Sequence, residues 1–395
     1  MSECRADGMV HISYNLSMTR YFSYILLLVS TIVFHSCGNK PSTDDKKSIV
    51  EVNVKSCTAE SRTVIIKANP DVVNISGYGL SAYFKPNNSI YAYNYKGHSI
   101  DILNLDRDSI TGSIKLATDG PNAVMRELMG LQVLSPDMIA TFDYMAIKVL
   151  DGKGNVVTKI ELPDGAVPQI DCNSRSHISD FKIDLARHTV MYPTMDHKTK
   201  KEFEVLEYDY ANRKVIDTFK LDGPEREGNF GFMNSPNVSF NGDYIVYNYP
   251  FESEIHILDT KTRSCRTISP RSSLAPGTVK EYDSASSGDS GWYGAENYFY
   301  TPLYYIAGKD CYVRITLGKT TLDRTQDCAK AYYDRPIYLM TFDKDFNPTG
   351  EFEIPRHKYN PFGEWCPLAD CMAFYQDNMF GDIDDENITL DLISF

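Results

Sequence analysis

Leu128-Met129-Gly130-Leu131-Gln132-Val133-Leu134, Met138-Ile139-Ala140-Thr141-Phe142-Asp143, Ile147-Lys148-Val149-Leu150-Asp151 and Val156-Val157-Thr158-Lys159-Ile160-Glu161-Leu162 follow one another with only short connections between them. Each run is short and apolar, and Ser, Pro, Gly, Asn or Asp stand in the gaps. Runs of that length with those boundaries read as strands, not helices. Gly152-Lys153-Gly154-Asn155 joins the last two, and Gly supplies the positive φ a tight hairpin needs. Four such strands in succession predict one up-and-down sheet.

The same order recurs along the chain. Ser89–Asn94 precedes Ile100–Asp106 and Ile110–Leu116; Thr189–Thr194 precedes Phe203–Tyr210 and Val215–Leu221. Tyr244–Tyr249, Ile255–Asp259 and Cys265–Ile268 repeat it, as do Tyr312–Leu317, Ile337–Asp343 and Gly350–Ile354. A partial copy holds Met372–Tyr375 and Asn387–Phe395. Second strands therefore start near residues 89, 138, 189, 244, 312 and 372, a period of about 50 to 70 residues. This spacing predicts an all-β fold, a six-bladed β-propeller of four-stranded antiparallel blades. The last copy runs out of sequence after its third strand. An N-terminal strand at Thr63–Lys67 is expected to complete it, which closes the ring and removes exposed edges. Two consecutive β-sandwiches explain the regular spacing less well.

Ahead of the repeats, Arg20 is followed by the apolar run Tyr24–Phe34 and then Ser36-Cys37. A basic start, a short apolar core and a small residue before cysteine read as a secretory signal whose cleavage leaves Cys37 to carry lipid. The run falls short of the ~20 apolar residues of a comfortable membrane span. Met18 is a natural start for this signal, and residues 1–17 read as upstream sequence. The expected organisation is residues 1–36 as leader, 37–60 as lipidated cysteine and flexible tether, and 61–395 as propeller. The location so implied is the cell envelope, with the membrane as partner through the anchor.

The net charge of −13 argues against nucleic acid, whose phosphates need concentrated Lys and Arg. Of nine cysteines, Cys57, Cys172, Cys265, Cys311, Cys328, Cys366 and Cys371 fall in the expected mature chain outside the lipid site. An odd, scattered set makes no disulfide framework and no zinc pattern. Mostly buried free thiols are expected, with Cys311–Cys328 and Cys366–Cys371 as local pairing options.

Ser36-Cys37, followed by units with Asp-Gly-Pro loops and Asp-x-x-Gly hairpins, resembles the TolB-like six-bladed propeller lipoproteins of Bacteroidetes, and within them a family of unknown function. The resemblance covers residues 60 to 395 and rests on repeat texture. It implies outer-membrane placement. It also implies O-glycosylation at Asp-Ser-apolar sites, here Ser109 and Ser284.

In a propeller, the loops leaving the second and fourth strands open on one rim, and rigid blades position such loops for binding. Asp119-Gly120-Pro121-Asn122 and Asp222-Gly223-Pro224-Glu225 are two such loops. Turn chemistry accounts for their Gly and Pro. Asp119, Asn122, Arg126, Glu127, Asp222, Glu225 and Arg226 remain as ligand candidates. His98, Asp143, Tyr144 and His197 join them from the other loop set, since rings beside polar tips suit sugar or peptide recognition. The insertion Gly318–Arg335 and the segment Ser269–Gly294 are expected to project over the same rim.

Other motifs fail. Asp343-Lys344-Asp345-Phe346-Asn347 begins like a calcium loop but has Pro348 where Gly is required, so it reads as a hairpin. No Gly-x-Ser-x-Gly elbow, phosphate loop or His-x-x-x-His spacing occurs. No cofactor or metal is expected. The reading is a non-catalytic, monomeric envelope protein that binds a protein or glycan on its rim. The alternative is a propeller hydrolase or lyase acting on polysaccharide, peptide or lactone, whose paired carboxylates would meet only in space.

Overall fold

A computed structural model describes residues 50–53, 56–68, 78–143, 146–163, 180–195, 202–283, 290–321, 323, 325, 328–361, 365–376 and 387–395. The diagnostic stretch forms β7 (Gly130–Ser135), β8 (Met138–Phe142), β9 (Ala146–Asp151) and β10 (Val156–Glu161), antiparallel in the order β10-β9-β8-β7. Three further units repeat it. They are β11 (Lys182–Asp184), β12 (Thr189–Met195), β13 (Phe203–Asp209) and β14 (Lys214–Lys220); β15 (Asn237–Asn241), β16 (Tyr244–Asn248), β17 (Ile255–Asp259) and β18 (Cys265–Arg271); and β19 (Phe299–Ile306), β20 (Cys311–Leu317), β21 (Ile337–Phe342) and β22 (Pro348–Ile354).

The remaining strands depart from expectation. β3 (Ser81–Phe84), β4 (Ser89–Asn94), β5 (Ser99–Asn104) and β6 (Ser109–Lys115) share one eight-stranded sheet with β23 (Trp365–Pro367), β24 (Met372–Tyr375), β25 (Asn387–Ser394) and β2 (Glu60–Lys67). Among the described residues five sheets result where six separate ones were expected. The cause is one parallel pair, Lys67 with Ser109, that joins β2 to β6. β2 itself pairs with β25 along its whole length, from Glu60 opposite Ser394 to Lys67 opposite Asn387, so an N-terminal strand does complete the C-terminal unit. Pairing also begins within the segment read as tether. β1 (Val50–Asn53) lies parallel to β18, and Cys57 donates its N–H to the Glu351 carbonyl of β22.

Side-chain burial explains the arrangement. Middle strands are buried continuously, as all six residues of β4 are, whereas outer strands alternate, as β10 does. A sheet covered on both faces needs unbroken apolar runs; an outer strand needs one apolar face. Neighbouring units supply the cover. Tyr91, Ile100 and Ile114 pack with Leu131, Ile139 and Leu150 of the next sheet, and Phe142 and Val149 with Phe181, Val190 and Tyr192 of the one after. The result is an all-β, propeller-like array. No described helix is long and apolar enough to cross a membrane.

One device recurs at the hairpin between third and fourth strands. An Asp that ends the third strand, or in Asp343 directly follows it, turns its Oδ1 back to accept N–H groups two to four residues on: Asp151 from Lys153 and Asn155, Asp209 from Ala211 and Asn212, Asp259 from Lys261 and Thr262, Asp343 from Asp345 and Asn347. Such Asx turns stabilise the reversal and pull these carboxyls below their usual range through hydrogen bonding. Asp343–Asn347 is thus a hairpin, as its sequence indicates.

These hairpins reach the outer strand of the preceding sheet. Gly154 leaves no room for a Cβ against the Lys115 carbonyl of β6, Arg213 lies 3.9 Å from Glu161 of β10, and Arg266 of β18 stacks on Phe346. Cys57, Cys265, Cys311, Cys366 and Cys371 are free thiols, so the Cys366–Cys371 option is not taken up. Burial pushes the Cys371 thiol up to about 12, which leaves it protonated and inert.

Candidate functional site

The first strands of the units converge on a cavity of about 400 Å³. Its wall comes from β3, β7, β15, β19 and the ends of β23, with Asp180 and Phe181 just ahead of β11. Leu80, Leu131, Phe181, Val238, Leu303 and Leu368 make it largely apolar. Lys85 and Ala307, both exposed, belong to the connections leading out of β3 and β19. None of the rim candidates lines it. Its lining thus reaches the end opposite the rim singled out from the sequence.

Asp180 is the cavity's acid. Its Oδ1 accepts the N–H of Phe181 at 2.9 Å and Oδ2 that of Phe240 at 3.2 Å, while Gln132 donates to Oδ1 at 3.5 Å and also to the Phe181 carbonyl. These bonds tie three successive units together inside the ring. Burial nevertheless dominates and pushes the carboxyl up to about 6, against the pull of those donors. No described Lys, Arg or His forms an ion pair with it.

On the rim, the structure separates bracing groups from exposed ones. Asp143 is buried, with Oδ2 2.6 Å from Lys148 Nζ and Oδ1 accepting the Ala146 N–H. His98 is also buried, with Nε2 3.0 Å from the Val124 carbonyl and Nδ1 2.8 Å from the Tyr93 hydroxyl. Burial and then nearby Arg126 hold its pKa below the ordinary imidazole value, so it stays neutral. Asn122 is a bracket, accepting the Val156 N–H at 3.0 Å. Arg126 donates to the Tyr95 carbonyl at 2.9 Å, and Tyr95 reaches Glu127 at 3.5 Å.

Loop 222–227 is stitched down from beneath. Tyr249 donates to the Asp222 carbonyl at 3.0 Å and Tyr247 accepts the Asp222 N–H at 2.9 Å. The buried carboxylate of Glu252 accepts the N–H groups of Glu225 and Arg226. Arg226 donates to the Val279 carbonyl and lies over the Phe230 ring, which itself stacks on Phe251 at 3.8 Å. The acidic side chains of Asp119, Asp222, Glu225 and Glu227 are left exposed on the surface. Glu252 also comes within 3.9 Å of His256, but both are buried under the loop.

Cys37, Tyr144, His197 and Ser284 lie outside the described residues. Ser109 is half-buried at the start of β6, its backbone paired with Asn104 and Lys67. α1 (Ser290–Glu296) lies ahead of β19 and packs through Ala295 on Ala331 and Tyr332 of α2 (Cys328–Tyr333), which the insertion carries. Arg335 fastens its end, donating to the carbonyls of Gly318 and Asn297 at 2.7 and 2.8 Å. The described residues hold no grouping of His, Cys, Asp and Glu suited to a metal ion.

The sequence profile of a domain of unknown function (DUF4221) matches residues 55–353. The chain belongs to that family. A crystal structure of a DUF4221 member from Bacteroides vulgatus superimposes with a TM-score of 0.68 at 13% identity, covering 85% of this chain and 97% of that one. A predicted exported protein from Bacteroides fragilis follows with 0.57 at 11% identity, covering 88% and 99%. None of the curated proteins matches the sequence. At such identities the two structures establish the fold alone.

Within this DUF4221 domain, Asp180 was not legible as a site residue. A lone Asp ahead of a short strand carries no spacing signal, and its partners Gln132 and Phe240 come from other units.

Proposed function

We propose that this DUF4221 protein is an envelope lipoprotein, anchored through Cys37 in the outer membrane, whose six-sector propeller binds a protein or glycan on its loop-rich rim without catalysis. The supporting observation is the division of labour on that rim. Asp143, His98 and Glu252, the groups best suited to acid–base chemistry, are buried and engaged in bracing loops. The side chains left exposed on the loops are charged or aromatic: Asp119, Asp222, Glu225 and Glu227 together with Lys96, Arg126 and Tyr95. Rigid loops lose little entropy on binding, which favours recognition.

Six sectors follow if the eight-stranded sheet is taken as two units that touch at one pair. The Lys67–Ser109 contact sits where hairpins elsewhere meet the preceding outer strand, and Ser56 bridging Glu351 occupies the equivalent place one junction earlier. The leader-like residues 20–37, and a protein of like fold described as a predicted exported protein, support an envelope location.

Two measurements test this. Metabolic labelling with a lipid analogue should mark the wild type and leave Cys37→Ala unlabelled and released from membranes. Glycan arrays and cross-linking in envelope extracts should yield a ligand that the triple variant Asp222→Lys, Glu225→Lys, Glu227→Lys no longer binds. Blank arrays and extracts, or a ligand indifferent to that variant, count against rim recognition.

A further inference from the structure

The central cavity contains a carboxylate with which no described cation forms an ion pair, although Lys85 belongs to the same lining. Asp180 is reached only by dipoles, the N–H groups of Phe181 and Phe240 and the amide of Gln132. Asp180 is half-buried, and a carboxylate partly withdrawn from water against a largely apolar wall is costly unless something positive joins it. We propose that the cavity is a binding site for a small organic ammonium ion, held against Asp180 and the aromatic rings of the lining.

Size, shape and chemistry agree. About 400 Å³ lies in the range of small-molecule sites. Phe181, Phe240, Tyr304 and Tyr305 line the same space as Asp180, and π faces attract desolvated cations. Two lining rings are fixed by hydrogen bonds: Tyr305 donates to Asp310, outside the cavity, at 2.7 Å, and Tyr312 accepts from Asn241, also in the lining, at 2.5 Å. Such fixed rings pre-organise the wall. Lys85, the lining's cation, is exposed where water screens it. A hard metal ion is less suited, because calcium takes six to eight oxygen ligands and magnesium six in an octahedron. An anion would face Asp180 directly. A neutral sugar would leave its charge uncompensated.

The test is calorimetric titration of the full chain with tetramethylammonium and ethylammonium chlorides at constant ionic strength. Sodium chloride and the neutral tert-butanol serve as controls. At pH 7.5 one ammonium ion should saturate a single site in the low millimolar range or tighter, while both controls give no saturable heat. Asp180→Asn should weaken that affinity at least about tenfold. Lowering the pH to 5 should weaken it about tenfold in the wild type, because a carboxyl titrating near 6 is then mostly neutral. Phe240→Leu, which keeps the backbone N–H to Asp180, should weaken it several-fold and provides a second readout if the Asn variant folds poorly. Equal binding of tert-butanol, undiminished affinity in Asp180→Asn or Phe240→Leu, or no saturation by about 50 mM of either ammonium ion overturns the proposal. Rim recognition is unaffected by any of these outcomes, since no rim candidate lines the cavity.

Discussion

Arg263 grips Asp217 across the seam between two sheets: its Nη2 lies 2.6 Å from one carboxylate oxygen and 2.5 Å from the other. Arg263 sits in the hairpin between β17 and β18 with φ of 63°, and Asp217 lies on the outer strand β14 of the preceding unit. The same guanidinium lies over Phe219, 4.4 Å from its centroid, and donates to the Thr218 carbonyl. The bond to Arg263 holds the Asp217 carboxyl below its usual range. A left-handed turn residue is therefore used to fasten one sheet to the next.

That pair is half-exposed, so its worth is modest. A double-mutant cycle with Arg263→Ala and Asp217→Ala should give a coupling of about 0.5–1 kcal/mol, shrinking in high salt. Arg263→Ala alone should cost more than Asp217→Ala, because it also uncovers Phe219. Urea denaturation of the four proteins measures this. Equal single-mutant costs with no coupling would mean the seam is held by the apolar core alone.

Gly154 and Gly120 separate backbone conformation from space. Both have positive φ, at 85° and 75°. A Cβ on Gly154 would come 2.3 Å from the Lys115 carbonyl oxygen, whereas one on Gly120 meets nothing within 4 Å. Gly120→Ala should cost about 1 kcal/mol from the left-handed backbone alone. Gly154→Ala should cost at least about 2 kcal/mol more, since the seam between two sheets must open. Thermal melts of the two variants settle the order.

Removing β2 should be far worse than removing the segment ahead of it. Among the described residues, a chain that begins at Glu60 loses β1, the bonds of Ser56 and Cys57 to Glu351 and the partly buried Cys57 and Ala59. A chain that begins at Asn69 also loses Val64 and Ile66 from the core and bares the edge of β25. Those two side chains alone represent about 3–6 kcal/mol of burial. The first truncation should purify as a folded monomer; the second should aggregate, as bare β edges do. Size-exclusion chromatography distinguishes them.

Asp180 should make stability depend on pH with an unusual sign. Its carboxyl titrates near 6 when folded and near the ordinary carboxylate value when unfolded. Between those values the folded state holds the extra proton, so this contribution is present at low pH and lost as pH rises toward 6. In thermal melts, Asp180→Asn should therefore gain about 3 kcal/mol of stability relative to wild type between pH 4 and pH 7.5. This gain comes on top of a pH-independent cost from the N–H that its amide nitrogen cannot accept. A gap of the same size at both pH values would show that desolvation of the charge is not its origin. A bound cation would offset the same cost, which links this measurement to the ligand inferred for the cavity.

Much of the architecture was readable along the chain because strand signals are local. Runs such as Met138–Phe142 and Ile337–Phe342 carry their own composition and boundaries, and Asp or Asn at each third-strand end carries the turn chemistry. The short first strands escaped notice. β11 and β23 have three residues each, too few for any periodicity to register. The helices α1 and α2 were missed for a similar reason, being single turns or little more within Gly- and Ser-bearing connections.

Local alternation and hydrophobic runs thus determined that this protein is all-β, built from repeated four-stranded units, with its N-terminal strand returning to the last of them. Only the tertiary structure decided that β2 and β6 touch at Lys67 and Ser109, that Asp143 and His98 brace loops, and that Asp180 faces a central cavity. The reason is physical. A hydrogen bond inside one hairpin joins neighbours in sequence, whereas Gln132, Asp180 and Phe240 share a site because three sheets happen to converge on one axis.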